Sequence, residues 1–286
     1  MGAKPRIAIV GAGNLGAALA ISLCRAGYAI EAVITHSRGP SLNKARKLAK
    51  EVGALALAGM PVEMAAEVIW FCVPDAEIAH SARTLASTLR WKGRVAIHSS
   101  GALTSDELSS LRKWGAAVAS VHPLMTFVRR SRPSLAGVPF ALEGDTAAVR
   151  IARRMVKDLG GHAYTIRKTE KGAYHAWGTF ASPLFTALLA TTEQVAAAAG
   201  VTPKAARRRM IPILLQTLAN YASFDAAGAF SGPIARGDVD TVKRHLRVLR
   251  EVPAAHEVYV SLARAALGYL PGKNKAALQQ ALRPSR

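Results

Sequence analysis

The chain has 286 residues, with 38 Lys+Arg against 18 Asp+Glu for a formal net charge of +20; half of it is hydrophobic, and it holds only 2 Cys. A chain of this length fits one large or two ordinary domains and buries about 75% of its unfolded surface, so it needs no covalent staple. The apolar content excludes a disordered chain, and Cys24 and Cys72 are too few for a disulfide framework or a four-thiolate zinc site. The basic excess is spread evenly, with 21 basic and 11 acidic side chains in residues 1–165 and 17 and 7 in residues 166–286, which argues against an appended nucleic-acid arm.

Short apolar runs alternate with helical patterns through the first half. Residues 6–10 (RIAIV) read as a strand, 15–26 as a helix stopped at Gly27, 29–35 (AIEAVIT) as a second strand and 44–52 as a basic amphipathic helix. Further strands are expected at 68–73 (VIWFCV), 94–98, 117–121 and 138–142. Near-continuous apolar strands separated by helices predict a parallel sheet covered on both faces, a doubly wound α/β domain over residues 1–167.

After Arg167 the strand-like runs stop. A long helix is expected over 170–199, kinked at Pro183 and stopped at Gly200, and Thr202-Pro203 then supply a helix start. Helical patterns follow at 204–222, 239–252 and 256–267, so residues 168–286 form an all-α domain. The uncharged run 172–192 holds His175, Ser182 and Pro183, which is too polar for a membrane span; a helix buried between other helices is expected. The apolar stretch 7–23 carries regularly spaced glycines and no cleavage region, so a cytoplasmic protein is expected.

Gly11-Ala12-Gly13-Asn14-Leu15-Gly16 is G-x-G-x-x-G, placed directly after a strand and opening a helix. Gly11 allows the tight turn, Gly13 lets backbone approach a pyrophosphate, and Gly16 lets helix and strand pack closely. Asn14 and Leu15 begin the helix whose N–H groups meet the phosphates. At the end of the second strand, Thr35-His36-Ser37-Arg38 offers no acid for a ribose 2′-hydroxyl; Ser37 and Arg38 suit a 2′-phosphate, so NADP(H) is the expected cofactor.

Val73-Pro74-Asp75, His98-Ser99-Ser100-Gly101 and His122-Pro123 close the third, fourth and fifth strands at the edge where ligands of such sheets lie. Val73, Pro74 and Ser99 are expected around the cofactor, and Ser100 and His122 beside the substrate; either His98 or His122 is able to polarise a carbonyl or imine. Lys171 and His175 lie four apart on one helical face, and His175 is the expected proton-transfer group with Lys171 as the alternative. Arg236, in Ser231-Gly232-Pro233-Ile234-Ala235-Arg236-Gly237-Asp238, suits bidentate binding of a substrate carboxylate. No zinc or P-loop spacing is present, and no metal site is expected.

These segments together resemble the Rossmann-like and DUF2520 family of oxidoreductase-like proteins, related to pyrroline-5-carboxylate reductase, ketopantoate reductase and the β-hydroxyacid dehydrogenases. The resemblance rests on GAGNLG (11–16), FCVPDAEI (71–78), HSSGAL (98–103), HPLMTF (122–127), YHAWGTFAS (174–182) and SGPIARGD (231–238). It implies a Rossmann domain followed by a helical domain like the C-terminal one of 6-phosphogluconate dehydrogenase, a homodimer built through that helical domain, and an active site near their cleft. Dehydrogenases of the wider group carry K-x-x-x-N on the equivalent helix, whereas this chain has Lys171-x-x-x-His175, followed by Thr179.

The resulting expectation is an NADP(H)-dependent oxidoreductase passing hydride between nicotinamide and a small, anionic carbonyl or imine substrate. A non-catalytic NADP(H)-binding sensor or scaffold is the alternative, motivated by the missing pair. Membrane and nucleic-acid partners are not expected.

Overall fold

The computed structural model describes residues 3–36, 38–59, 63–129 and 131–283. The chain divides into two compact units, Met1–Thr179 and Phe180–Arg286.

The first unit runs β1 (Ile7–Val10), α1 (Asn14–Arg25), β2 (Ile30–Thr35), α2 (Pro40–Val52), β3 (Leu55–Ala58), β4 (Val68–Phe71), α3 (Asp75–Ala86) and β5 (Val95–His98). It continues with α4 (Ser109–Lys113), β6 (Ala117–Pro123), β7 (Pro139–Gly144), α5 (Thr146–Asp158), β8 (His162–Thr165) and α6 (Lys171–Thr179). The eight strands form one sheet in the order β3-β2-β1-β4-β5-β6-β7-β8. Alternation along each strand sends side chains to opposite faces. Ile7, Ile9, Trp70 and Ile97 pack with Leu19, Leu48 and Met155 on one side. Ala8, Val10, Ile69 and Phe71 pack with Ile78, Leu85 and Leu111 on the other. The expected doubly wound fold is therefore present. The order reverses between β1 and β4, and the crevice beyond the carboxyl ends of that strand pair is where such sheets take their ligands.

Three details depart from the sequence-based expectation. Two edge strands, β3 and β8, join the sheet, each only four residues long and half-exposed. β7 is antiparallel to β6, because the connection 124–138 holds no crossover helix to return the chain for a parallel pairing. Residues 168–179, expected in the helical domain, fall within the first unit, where Lys171 and Tyr174 are buried.

The second unit begins with the π-helical turn Phe180–Leu184, which contains Pro183 at the expected irregularity, and continues as α7 (Phe185–Ala198). α8 (Pro203–Ala229), α9 (Pro233–Arg236), α10 (Val239–Leu249), α11 (Pro253–Tyr269) and α12 (Lys275–Ala281) follow. Its small core joins Val242, Ala263, Leu267, Leu278 and Leu282. Burial of the run 172–192 is not found: Tyr174 alone is buried there, and Trp177, Phe180 and Leu184 are exposed, since a single chain supplies nothing to cover them. No single helix among the described residues is long and apolar enough to cross a membrane.

Candidate functional site

The glycine loop has the geometry its sequence demands. Gly11 has φ +104°, and a β-carbon there would lie 2.5 Å from the Cys72 carbonyl oxygen. A β-carbon at Gly16 would lie 2.1 Å from the Gly11 oxygen, so only glycine lets α1 start this close to the strand. At Gly13, by contrast, nothing stands within 4 Å. That space lies at the N-terminus of a 12-residue helix with no acid in its first turn, a place suited to an anionic phosphate. Asn14 Nδ2 donates to the Phe127 carbonyl at 3.1 Å and fixes the loop from its far side, while Leu15 packs against the core.

A groove of about 440 Å³ extends from this loop along the ends of β2 and β4, with Val73 and Pro74 on its wall as expected. Its cation is Lys44, on α2, with Ser41 and His36 beside it and the carboxylate of Glu77 also lining it. Lys44 was not among the residues expected at the cofactor, being read only as part of a basic amphipathic helix; its position one turn into the helix after β2 was the available signal. Arg38 is exposed and is not among the residues lining the groove. Ser37 lies outside the described residues.

The β5 and β6 ends converge on a buried polar network. His98 is fully enclosed: its Nδ1 accepts from Ser100 N–H at 3.1 Å and its Nε2 donates to the Thr104 carbonyl at 2.9 Å. Burial pushes its pKa down to about 4, so it is a neutral clamp on the loop, with no free nitrogen for a ligand. Ser99 Oγ accepts from the Trp70 indole at 2.7 Å. Ser100 Oγ donates to Asp75 at 2.7 Å and accepts from Ala102 and Leu103 N–H. Both serines were expected to face ligands; in the structure they are buried and hold the loop together.

Lys171 is 1% exposed. Its ammonium donates to the Ser100 carbonyl at 2.8 Å and to Ser120 Oγ at 2.5 Å. Burial lowers its pKa to about 8, opposed by the negative charges of Glu143 and Asp75. Glu143 is itself buried and accepts from Ser105 N–H and Oγ–H at 2.6 and 2.9 Å. The lysine thus cross-links the β5 and β6 loops to α6.

Half-buried His122 and exposed His175 stand side by side next to this network. His122 Nδ1 pairs with the Tyr174 hydroxyl at 2.8 Å, and the two histidine rings stand 6.3 Å apart, nearly perpendicular. A β-carbon at Gly101 would lie 2.7 Å from His175 Cδ2 and 2.9 Å from His122 Nε2, so both rings pack directly on the Gly101 backbone and only glycine leaves them room. Burial, then the Lys171 and His175 charges, pushes the His122 pKa down to about 4. His175 itself is solvent-exposed, not enclosed in an apolar run as its neighbours in sequence had implied. Gly101 and Tyr174 are the site members that sequence reasoning missed.

Residues 2–123 match the Rossmann-like domain family, and residues 138–266 match the family described as domain of unknown function DUF2520. The chain is a Rossmann-like and DUF2520 domain protein. No curated protein sequence matches it. Among solved structures it is similar to BF3122 from Bacteroides fragilis, a candidate NADP oxidoreductase, with TM-score 0.75 and 20% identity over 92% of this chain and 97% of that one. It is also similar to an imine reductase from a Pseudomonas species (TM-score 0.65, 24% identity, 98% and 100% covered). A third is a reductive aminase from Aspergillus terreus in complex with NADPH and ethyl-5-oxohexanoate (TM-score 0.65, 15% identity, 97% and 99% covered). At these identities the likeness shows the fold.

The Rossmann-like match holds the glycine cradle, the β5 loop and His122, while the DUF2520 match holds Lys171, Tyr174, His175 and Arg236. The DUF2520 match therefore starts before the compact-unit boundary and supplies part of the first unit's polar network. Arg236 is exposed at the end of α9, between Gly232 and Gly237, both at positive φ. Asp238 caps α10 by accepting from Thr241 N–H at 3.1 Å, as its sequence position implied. No cluster of metal-ligating side chains occurs among the described residues.

Proposed function

We propose that this chain is an NADP(H)-dependent oxidoreductase that interconverts a small carbonyl and alcohol, or imine and amine. One juxtaposition carries the reading: the open glycine cradle after β1 and the His122–His175 pair packed on Gly101 both lie beyond the carboxyl ends of strands in one sheet. The reductive aminase solved with NADPH has the same overall fold and supports the choice of cofactor.

The uncrowded backbone at Gly13 and the absence of an acid at the end of β2 fit a 2′-phosphorylated dinucleotide. Gly13 and the first N–H groups of α1 would hold its pyrophosphate, and Lys44, Ser41 and His36 its 2′-phosphate. Bound NADPH would supply the hydride. His122, neutral near pH 7 and with Nδ1 taken by the Tyr174 hydroxyl, would orient substrate beside the nicotinamide. His175, exposed beside it, would move the proton between the substrate oxygen or nitrogen and solvent. Lys171, with its ammonium committed to the Ser100 carbonyl and Ser120 Oγ, ties the loop after β5 and strand β6 to the helix that carries His175.

The protein also works as a homodimer through its helical region. α8 exposes Ile213, Leu215, Tyr221 and Phe224, each at 60% or more, and the same unit carries an apolar groove of about 620 Å³ along α7, α10 and α11. A helix face and a groove in one unit are able to pair reciprocally across a two-fold axis.

Thermal stabilisation tests the cofactor reading. NADPH should raise Tm more than NADH, Lys44→Ala should erase the difference, and Gly13→Asp should remove both shifts. Better protection by NADH would overturn the assignment of the 2′-phosphate site. His175→Ala should lower turnover while leaving NADPH affinity unchanged, and equal loss of both would refute its role. NADPH binding without turnover on any imine or keto-acid substrate would favour a non-catalytic sensor.

A further inference from the structure

A second anion site is built far from the cradle, on α5. Arg150, Arg153, Arg154 and Lys157 recur at i, i+3, i+4 and i+7 and form one exposed stripe. The opposite face of the helix, Ala148, Ala152, Met155 and Val156, is buried on the sheet. The stripe borders a groove of about 470 Å³, closed on its other side by Gly161, His162 and Ala163 at the start of β8. Arg153 Nη1 donates to the Ala163 carbonyl at 2.9 Å, which fixes that guanidinium across the groove and leaves most of its donors available.

No acid lines this groove. The two acids that flank the helix are engaged elsewhere: Asp145 accepts from Arg112 at 3.1 Å, and Asp158 from the Tyr28 hydroxyl at 2.7 Å. Among the described residues, Arg150, Arg153 and Lys157 form no ion pair. Like charges at these helical spacings repel, so Arg150, Arg153 and Lys157 oppose the helix that carries them unless an anion neutralises them.

We propose that the α5–β8 groove binds a small polyphosphorylated anion, one presenting two or three linked phosphates. Arg150 to Lys157 span about 10 Å along the helix, the reach of such a ligand. Apart from His162 no aromatic ring lines the groove, so it lacks the stacking platforms that single-stranded nucleic acid uses. β8 lies five strand positions from β1, about 24 Å away across the sheet, so this site does not belong to the cofactor cradle.

The probe is inorganic tripolyphosphate, titrated calorimetrically into the full chain at about 0.1 M salt, where distant surface charges are largely screened. The double variant Arg150→Glu/Lys157→Glu should weaken binding at least tenfold. The equal charge change at exposed Arg83 and Arg90 (both to Glu) should alter it less than twofold. Tripolyphosphate should bind more tightly than orthophosphate and compete fully with a short single-stranded oligonucleotide. Equal loss in both double variants, no preference over orthophosphate, or tighter binding of the oligonucleotide would overturn the proposal. None of these readouts requires the redox reading to hold, and Gly13→Asp, which disables only the cradle, should leave the α5 site intact.

Discussion

The two compact units differ in how fully each encloses its own apolar side chains. In Met1–Thr179 the aromatic side chains of the sheet core, Trp70, Trp91, Phe71 and Phe140, are all less than 2% exposed, and even a lysine and a glutamate are buried with partners, while Trp114 and Trp177 stay exposed at its surface. In Phe180–Arg286, α8 is 27 residues long yet buries only Ala206, while Ile213, Leu215, Leu218, Tyr221 and Phe224 are each more than half exposed. The core of the sheet unit is thus enclosed by its own chain on both faces. The helical unit keeps an apolar face of the kind that marks an interaction surface, and a second copy is the occupant proposed above.

The sharpest way to break this contrast is to truncate one aromatic in each region. Phe71→Ala, in the sheet core, is expected to cost about 3–5 kcal/mol in urea unfolding. Phe224→Ala, at the exposed face, should cost under about 1 kcal/mol of unit stability but shift the monomer–dimer equilibrium in sedimentation. Similar losses from both, with no change in association, would erase the distinction.

The buried histidines sharpen it next. His98 and His122 are held at about 4 against an ordinary 6.5. Between those values the unfolded chain binds protons that the folded chain refuses, so stability should fall as pH drops from 6.5 to 4. The slope is at most about 1.4 kcal/mol per pH unit for each histidine. Lys171, held at about 8 against 10.5, has the same sign at the other end, and stability should rise between pH 8 and 10.5. Urea unfolding across pH checks both windows. His98→Gln should flatten the acid limb, and Lys171→Met should flatten the alkaline one.

A smaller effect belongs to the contact of the two histidine rings with Gly101. Gly101→Ala should reduce turnover about tenfold, roughly 1.4 kcal/mol of transition-state stabilisation, by crowding His122 and His175 while leaving NADPH affinity unchanged. Comparable loss of cofactor binding would place Gly101 in the cradle's support instead.

Much of the sheet was legible because its chemistry is local. Gly11, Gly13 and Gly16 followed an apolar run and opened a helix, and each proved to occupy the space its role requires. β3 and β8 were not read because each is only four residues long: Leu-Ala-Leu-Ala is apolar without β-branched or aromatic residues, and His-Ala-Tyr-Thr lacks an apolar run. The antiparallel turn of β7 depended on a missing helix in 124–138, which no strand pattern reports. At the site, His122 and His175 were readable as candidates from the loops and helix that carry them. The roles of Ser99, Ser100 and Lys171 were not, because residue type does not reveal that their polar atoms are spent on one another. Arg38 misled for a related reason: a charge near the right strand end is not a charge in the groove, and Lys44 occupies that place.

Deuterium transfer from NADPH labelled at C4 of the nicotinamide, read by mass spectrometry against a set of cyclic imines and keto acids, tests the proposed chemistry most directly. Deuterium should appear on the former imine or carbonyl carbon of at least one substrate and should vanish with Gly13→Asp. Tight NADPH binding with no transfer to any substrate, or transfer that survives Gly13→Asp, would contradict reduction at the glycine cradle.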